Sequence, residues 1–176
     1  MPPNTPTMPD FEALTKDLFN QIAQHVAGQA ISHFKGSFRK QGFTDSSFIP
    51  WPQRRDDAGH KLLRLSNTLM DSITPASVTS ERVVISAGEG VPYAAIHNNG
   101  GVIRVQVTKK MRKYFWYLYK QTGQEHWKYM ALTKKQALTI KIPQRQYIGN
   151  SETLNKNIDE AIVTTIDNNY KKIFQQ

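Results

Sequence analysis

Between residues 10 and 34 apolar side chains recur every three to four positions, with Phe11, Leu14, Leu18, Ile22, Val26 and Ala30 on one stripe; this predicts a long amphipathic helix. Thr7, Pro9 and Asp10 supply start signals for it. The same spacing in HKLLRLSNTLMDSITP (60–75) sets Leu62, Leu65, Leu69 and Ile73 on one face, predicting a second helix that Pro75 stops. Leu154, Ile158, Ile162, Ile166 and Tyr170 fall every four residues and predict a final long helix capped by Asn150 or Ser151.

Period-two alternation marks the strands. ERVVISAG (81–88) is short, β-branched and closed by glycine; VIRVQVT (102–108) puts Ile103, Val105 and Val107 opposite Arg104, Gln106 and Thr108; LTIKI (138–142) alternates until Pro143. Residues 36–59 mix Gly, Ser, Pro and aromatics and read as a loop pinned by Phe43, Phe48 and Trp51. Residues 109–121 read as a basic aromatic helix, followed by a loop and a further helical turn. These elements predict an α+β fold: a small, mainly antiparallel sheet packed by long N-terminal, middle and C-terminal helices.

Length and composition add limits. The 176 residues suit one domain over 10–176, with a basic aromatic arm at 109–137. Residues 1–9 hold four prolines and are expected to form a flexible arm. With no cysteine, disulfides, thiolate zinc sites and cysteine nucleophiles are excluded. No apolar run is long enough for a membrane span, and the N-terminus lacks the pattern of a signal peptide.

The net charge of +9 is localised. Of 23 Lys and Arg, ten lie between Arg104 and Lys141 against one acid, Glu125, so the rest of the chain is neutral. A polyanionic partner is therefore expected at 104–141, with Lys109, Lys110, Arg112, Lys113, Trp116 and Trp127 as candidate contacts to DNA or to a protein partner.

Candidate chemistry is sparse. There is no HExxH, no HxH and no GK[ST] ending to a glycine loop, so no metal, cofactor or nucleotide site is predicted and the chain does not read as an enzyme. Asp56 and Asp57 beside Arg54, Arg55 and His60 read as solvated charge at a helix start. His25 and His33 lie along or beside the first helical stripe and read as ordinary packed or surface histidines. In YAAIHNNGGVIRV (93–105), Pro92 at a first helical position, a turn and a half to Asn98, and a left-handed Gly100 predict a compact helical turn leading into a strand; Asn99-Gly100 as a tight hairpin is the alternative.

Three of these stretches together resemble the phage virion morphogenesis, or tail completion, family (Mu G protein-like). LLRLSNTLMDSI (62–73) is similar to its helix pattern of Leu, Ser or Thr, Gly, Leu, Ser and Ile. VPYAAIHNNGG (91–101) is similar to its Tyr-Ala-x-Ile-His-x-x-Gly-Gly, and IPQRQYIG (142–149) to its Ile-Pro-x-Arg-x-Phe-Ile/Leu-Gly. The departures are Asn67 where Gly is usual, Tyr147 for the common Phe, and a long 109–137 stretch.

The resemblance implies a structural protein of the phage tail or neck, active in tail completion or head–tail joining. It would be made in the bacterial host cytoplasm and carried into the virion as a ring-forming subunit. Its partners would be copies of itself and other tail or connector proteins, with DNA in the channel as a further candidate and no membrane. The matched residues Leu65, Ser66, Leu69, Ile73, Tyr93, Ile96, His97, Gly100, Gly101, Pro143, Arg145 and Gly149 would then serve architecture. The alternative function is a free nucleic-acid-binding protein using residues 104–141.

Overall fold

The computed structural model describes residues 10–54 and 59–174. In chain order the elements are α1 (Phe11–Lys40), β1 (Gly42–Thr44), β2 (Phe48–Pro50), α2 (Thr68–Asp71), β3 (Thr74–Val78), β4 (Val83–Ser86), α3 (Ala94–Asn99), β5 (Gly101–Gln106), α4 (Lys109–Thr122), α5 (Glu125–Leu132), β6 (Ala137–Ile142) and α6 (Glu152–Phe174). They form an α+β fold with small antiparallel sheets of two strands each, β1–β2, β3–β4 and β5–β6. The chain divides into two compact units, one from the described residues of 1–99 and 144–176, the other Gly100–Pro143.

In the first unit, the Asp10 carboxylate starts α1 by accepting from the backbone N–H groups of Glu12 and Ala13, both at 3.1 Å. Thr7 and Pro9 lie outside the described residues. The helix runs past the predicted stripe to Lys40 and ends at Gln41, which is left-handed at φ 62°. Its buried line is Ala23, Ala27, Ala30, Phe34, Ser37 and Phe38, whereas Phe11 at the start of the predicted stripe stays exposed. The small alanines allow close approach by α6, which runs antiparallel: His25 Nδ1 meets Thr165 Oγ1 at 2.8 Å and Asn169 Nδ2 donates to Gln21 Oε1 at 3.2 Å. Ser151 caps α6, its hydroxyl accepting from Leu154 N–H at 3.0 Å.

The core gathers Phe38, Phe43, Trp51, Leu62, Leu69, Ile73, Val91, Ala94, Tyr147 and Leu154. Phe38 is fully buried, edge-on to Trp51 with centroids 5.5 Å apart and tilted against Tyr147 at 5.1 Å. Phe43 and Trp51 do pin the 36–59 stretch, but there it forms the hairpin β1–β2, and Phe48 is exposed.

The expected helix over 60–75 is corrected. Only the four residues of α2 are helical. Leu63 and Asn67 take left-handed conformations at φ 56° and 58°, which interrupt a helix, and the Gln41 side chain holds Leu62 through both its backbone N–H (2.7 Å) and C=O (3.2 Å). Leu62, Leu69 and Ile73 are buried as the spacing suggests, while Leu65 is 80% exposed. Pro75 lies inside β3, opposite Ile85, where the register shifts between Pro75 and Ser77; a residue without an N–H fits such an irregularity. Asn67 sits at the position where the resemblance expects Gly, and its left-handed backbone accounts for both residues, since Asn tolerates that conformation best after Gly.

In the second unit, β5 and β6 pair from Gly101↔Ile142 to Gln106↔Ala137, with Ile103 opposite Ile140 and Val105 opposite Leu138. Between them α4 and α5 form a helical hairpin; its centre is the buried Phe115 stacked on Trp127 with centroids 5.9 Å apart. Thr108 caps α4 by accepting from Met111 N–H at 3.2 Å.

Candidate assembly surface

Of the matched stretches 91–101 and 142–149, the parts that lie in the first unit, 91–99 and 144–149, are bonded to each other. The backbone N–H of Arg145 donates to His97 C=O at 2.7 Å. The Asn98 side-chain oxygen accepts from both Tyr147 N–H (3.0 Å) and Ile148 N–H (3.1 Å), and the Tyr147 hydroxyl donates to Ala94 C=O at 3.3 Å. Trp51 Nε1 donates to Gln146 C=O at 2.7 Å. The Arg145 guanidinium, buried, donates from Nε and Nη2 to Pro52 C=O at 3.1 and 3.0 Å. These bonds satisfy a non-repetitive backbone that no sheet ladder serves. Burial raises the Tyr147 hydroxyl pKa, and burial followed by the nearby Arg54 lowers that of Arg145.

α3 begins at Ala94, two residues after Pro92, and ends at Asn99. Gly100 follows at φ 70°, a left-handed residue as the compact-turn reading expects, and the chain enters β5; the tight-hairpin alternative is not what forms. His97 is half-buried, its ring edge-on to Tyr93 at 5.8 Å. Burial, then the positive charge of Arg145, lowers its pKa, so the neutral imidazole is favoured. Ile96 is half-buried on the same helix.

The 62–73 stretch meets this helix. Leu65, Ser66 and Leu69 line a cleft of about 370 Å³ with Tyr93 and His97, and His60 and Leu63 complete it. Ile73 is instead deep in the core at 1% exposed. Five of the twelve matched residues therefore share one open cleft, at whose mouth Leu65 and Tyr93 are exposed. Gly149 lies just before the α6 cap, and Gly101 and Pro143 belong to the second unit.

Of the basic aromatic candidates, Trp127 packs on Phe115 and Trp116 is half-buried, edge-on to Tyr119. Lys109, Lys110 and Lys113 are exposed on α4. Arg112 is half-buried, with Nη1 donating to Ala131 C=O at 3.1 Å and also to Thr133 C=O. Arg54 bonds His60 through Nε2 (3.0 Å) and C=O, whereas Arg55, Asp56 and Asp57 lie outside the described residues. His33 Nε2 meets Thr44 C=O at 3.1 Å, with its ring edge-on to Phe34 and Phe43.

Sequence reasoning missed Asn98, whose part depends on two amides about fifty residues away that no local pattern marks. It also missed Asp45, whose side chain accepts from Glu152 N–H at 3.0 Å and whose C=O accepts from Thr153 N–H at 3.1 Å.

Among the described residues no group of three or more His, Cys, Asp or Glu is placed to hold a metal ion, and no helix is long and apolar enough to cross a membrane. Several of the matched residues thus take part in a braced turn and an open cleft of the first unit. The chain matches the model of the phage virion morphogenesis family over residues 11–167, and it belongs to that family. Its role is thus a structural one in phage morphogenesis. Neither the curated proteins nor the solved structures compared with it give a match.

Proposed function

We propose that this protein completes the tail or joins head to tail, as a ring-forming subunit at the neck or head-proximal end of the tail, and that it acts by forming interfaces and catalyses no reaction. The observation that carries this reading is the apolar surface left on the paired helices α1 and α6. Phe11 and Phe19 on the early turns of α1, with Val163, Ile166 and Tyr170 on the late turns of α6, are each between 44% and 59% exposed. The antiparallel pairing brings these regions of the two helices together.

Several large apolar groups near one end of a helix pair mark a protein interface, since burying each stabilises association by about 1.5–3 kcal/mol. A second copy fits this surface because closed rings repeat one contact around an axis. The cleft beneath Leu65 and Tyr93 offers a further contact for a neighbouring tail or connector protein.

The test has two parts. Native mass measurement and negative-stain imaging of the full chain should find a closed oligomer, and Phe19→Lys with Ile166→Lys should return it to monomer. A phage or prophage lacking the protein should accumulate unjoined heads and tails. Infectious particles of normal form made without it would refute the reading.

The alternative, a free nucleic-acid-binding protein, is separated by the same experiment, because particle assembly would then proceed unaltered.

A further inference from the structure

The second unit holds a cleft of about 500 Å³ that the assembly reading does not use. Arg104 reaches it from β5, Arg112 from the first turn of α4, and Lys134 and Lys135 from the segment leading into β6; Gln106 and Thr108 lie between them. Among the described residues, four cations from three separate stretches line this cleft and no carboxylate does. The one acid of residues 104–141, Glu125, is engaged elsewhere, accepting from Lys128 Nζ at 3.4 Å and from the Tyr119 hydroxyl at 3.1 Å.

Like charges gathered without a counter-charge repel, so an arrangement of this kind is relieved by a bound anion. Arg112 is fixed in it: its bonds to Ala131 and Thr133 go to neutral carbonyls, which orient the guanidinium and leave its charge uncancelled. α4 also opens with Lys109 and Lys110 and no acid in its first turn, adding positive charge where the helix dipole already presents it.

The size of the excess selects the anion. The second unit carries the whole +9, while the rest of the chain has equal numbers of acids and bases, so a second copy offers no surplus of negative charge. Duplex DNA does, with one negative charge for each ~1.7 Å of axis. Arginine forks and lysine ammonium groups are the side chains that hold phosphodiester oxygens, with amide and hydroxyl donors such as Gln106 and Thr108 beside them.

We propose that the cleft formed by Arg104, Arg112, Lys134 and Lys135 is a phosphate site that grips the backbone of duplex DNA without reading its sequence. The site rests on the second unit alone and stands separately from the assembly reading.

The test uses the full chain and a fluorescein-labelled duplex of about 24 base pairs, followed by anisotropy between about 0.05 and 0.3 M NaCl. Four phosphate contacts predict a slope of log affinity against log salt of about −3.6 or steeper. Lys134→Gln with Lys135→Gln removes two contacts, which flattens the slope by about 1.8 and weakens binding roughly 60-fold at about 0.1 M salt. Lys16→Gln with Lys156→Gln makes the same charge change on exposed positions of the first unit and is expected to cost no more than about two-fold.

Equal losses from the two pairs would reduce the effect to net charge and overturn the site, as would a flat salt dependence of the parent chain. Polyglutamate of equal charge should displace the labelled duplex at least about ten-fold less well than unlabelled duplex does; equal displacement would assign the cleft to an acidic protein surface and overturn the DNA proposal. None of these outcomes depends on particle assembly, which is scored on phage.

Discussion

Replacing Asn98 by Ala removes a single oxygen that accepts from two consecutive backbone N–H groups, those of Tyr147 and Ile148. An N–H left without an acceptor away from water costs about 1–3 kcal/mol. Tyr147 is 1% exposed, whereas Asn98 and Ile148 are half-buried, so water can reach part of the site and the lower half of that range applies to each. The expected loss is roughly 2–4 kcal/mol, or about 4–16 °C in Tm for a chain of this length.

Because the chain contains two compact units, a single melting curve averages over both, and amide hydrogen exchange is the sharper assay. Protection of the Tyr147 and Ile148 amides should fall in Asn98→Ala, together with a lower urea midpoint. Asn98→Asp retains the acceptor oxygen and should lose less than about 1 kcal/mol. An Ala variant within about 0.5 kcal/mol of the parent, or an Asp variant as damaged as the Ala variant, would refute the claim that this oxygen braces the turn.

Three further outcomes are expected. Trp51→Phe keeps most of the ring against Phe38 but loses the N–H given to Gln146 C=O, and should lower stability in urea followed by circular dichroism by about 1–3 kcal/mol. Gly88→Ala should cost about 2–5 kcal/mol in the same assay: its φ is 85° and a Cβ there falls 2.3 Å from Ala94 Cβ; Gly90→Ala, left-handed but with open space around it, should cost only about 1–2 kcal/mol. For pH, His97 is depressed by burial and Arg145, and His33 by burial and Lys40 against an opposing bond to Thr44 C=O. The unfolded state therefore takes up protons first, so the stability tied to these rings is complete above about pH 6.5 and falls as pH drops from there towards their folded values. Urea midpoints at about pH 7.5 and 5 should show the decline, and His97→Gln should reduce it.

The elements legible in the sequence were those whose hydrophobic period agrees with their tertiary surroundings. α6, α4 and the hairpin β5–β6 form where their spacing puts them, although Ile166 and Tyr170 at the end of the α6 stripe and Ile103 and Ile140 on the hairpin stay exposed. The 62–73 stretch was misleading because Leu62, Leu69 and Ile73 all reach the core, as helical spacing suggests, yet they arrive there through left-handed turns at Leu63 and Asn67. The grip of Gln41 on Leu62 fixes that path, and it joins residues twenty-one positions apart. Leu65 lies on the arithmetic stripe but faces outward, at the mouth of the cleft with Tyr93 and His97.

The site was legible in its components only. Motif matching found His97 and Arg145, but their backbone bond and the bracing by Asn98 required the fold. Likewise the +9 segment marked where cations concentrate, while the grouping of Arg104 and Arg112 with Lys134 and Lys135 follows from chain reversal through α4 and α5.

The 2.7 Å bond between Arg145 and His97 has a consequence for how much change in length this chain tolerates. It ties together two points of the first unit that lie within three residues of where the chain leaves it at Gly100 and returns after Pro143. A loop whose ends are already held together grows or shrinks at little entropic cost, about 0.6 kcal/mol for each doubling of length. By that measure the segment Gly100–Pro143 behaves as a cassette, whose length can change at small cost to the scaffold that receives it.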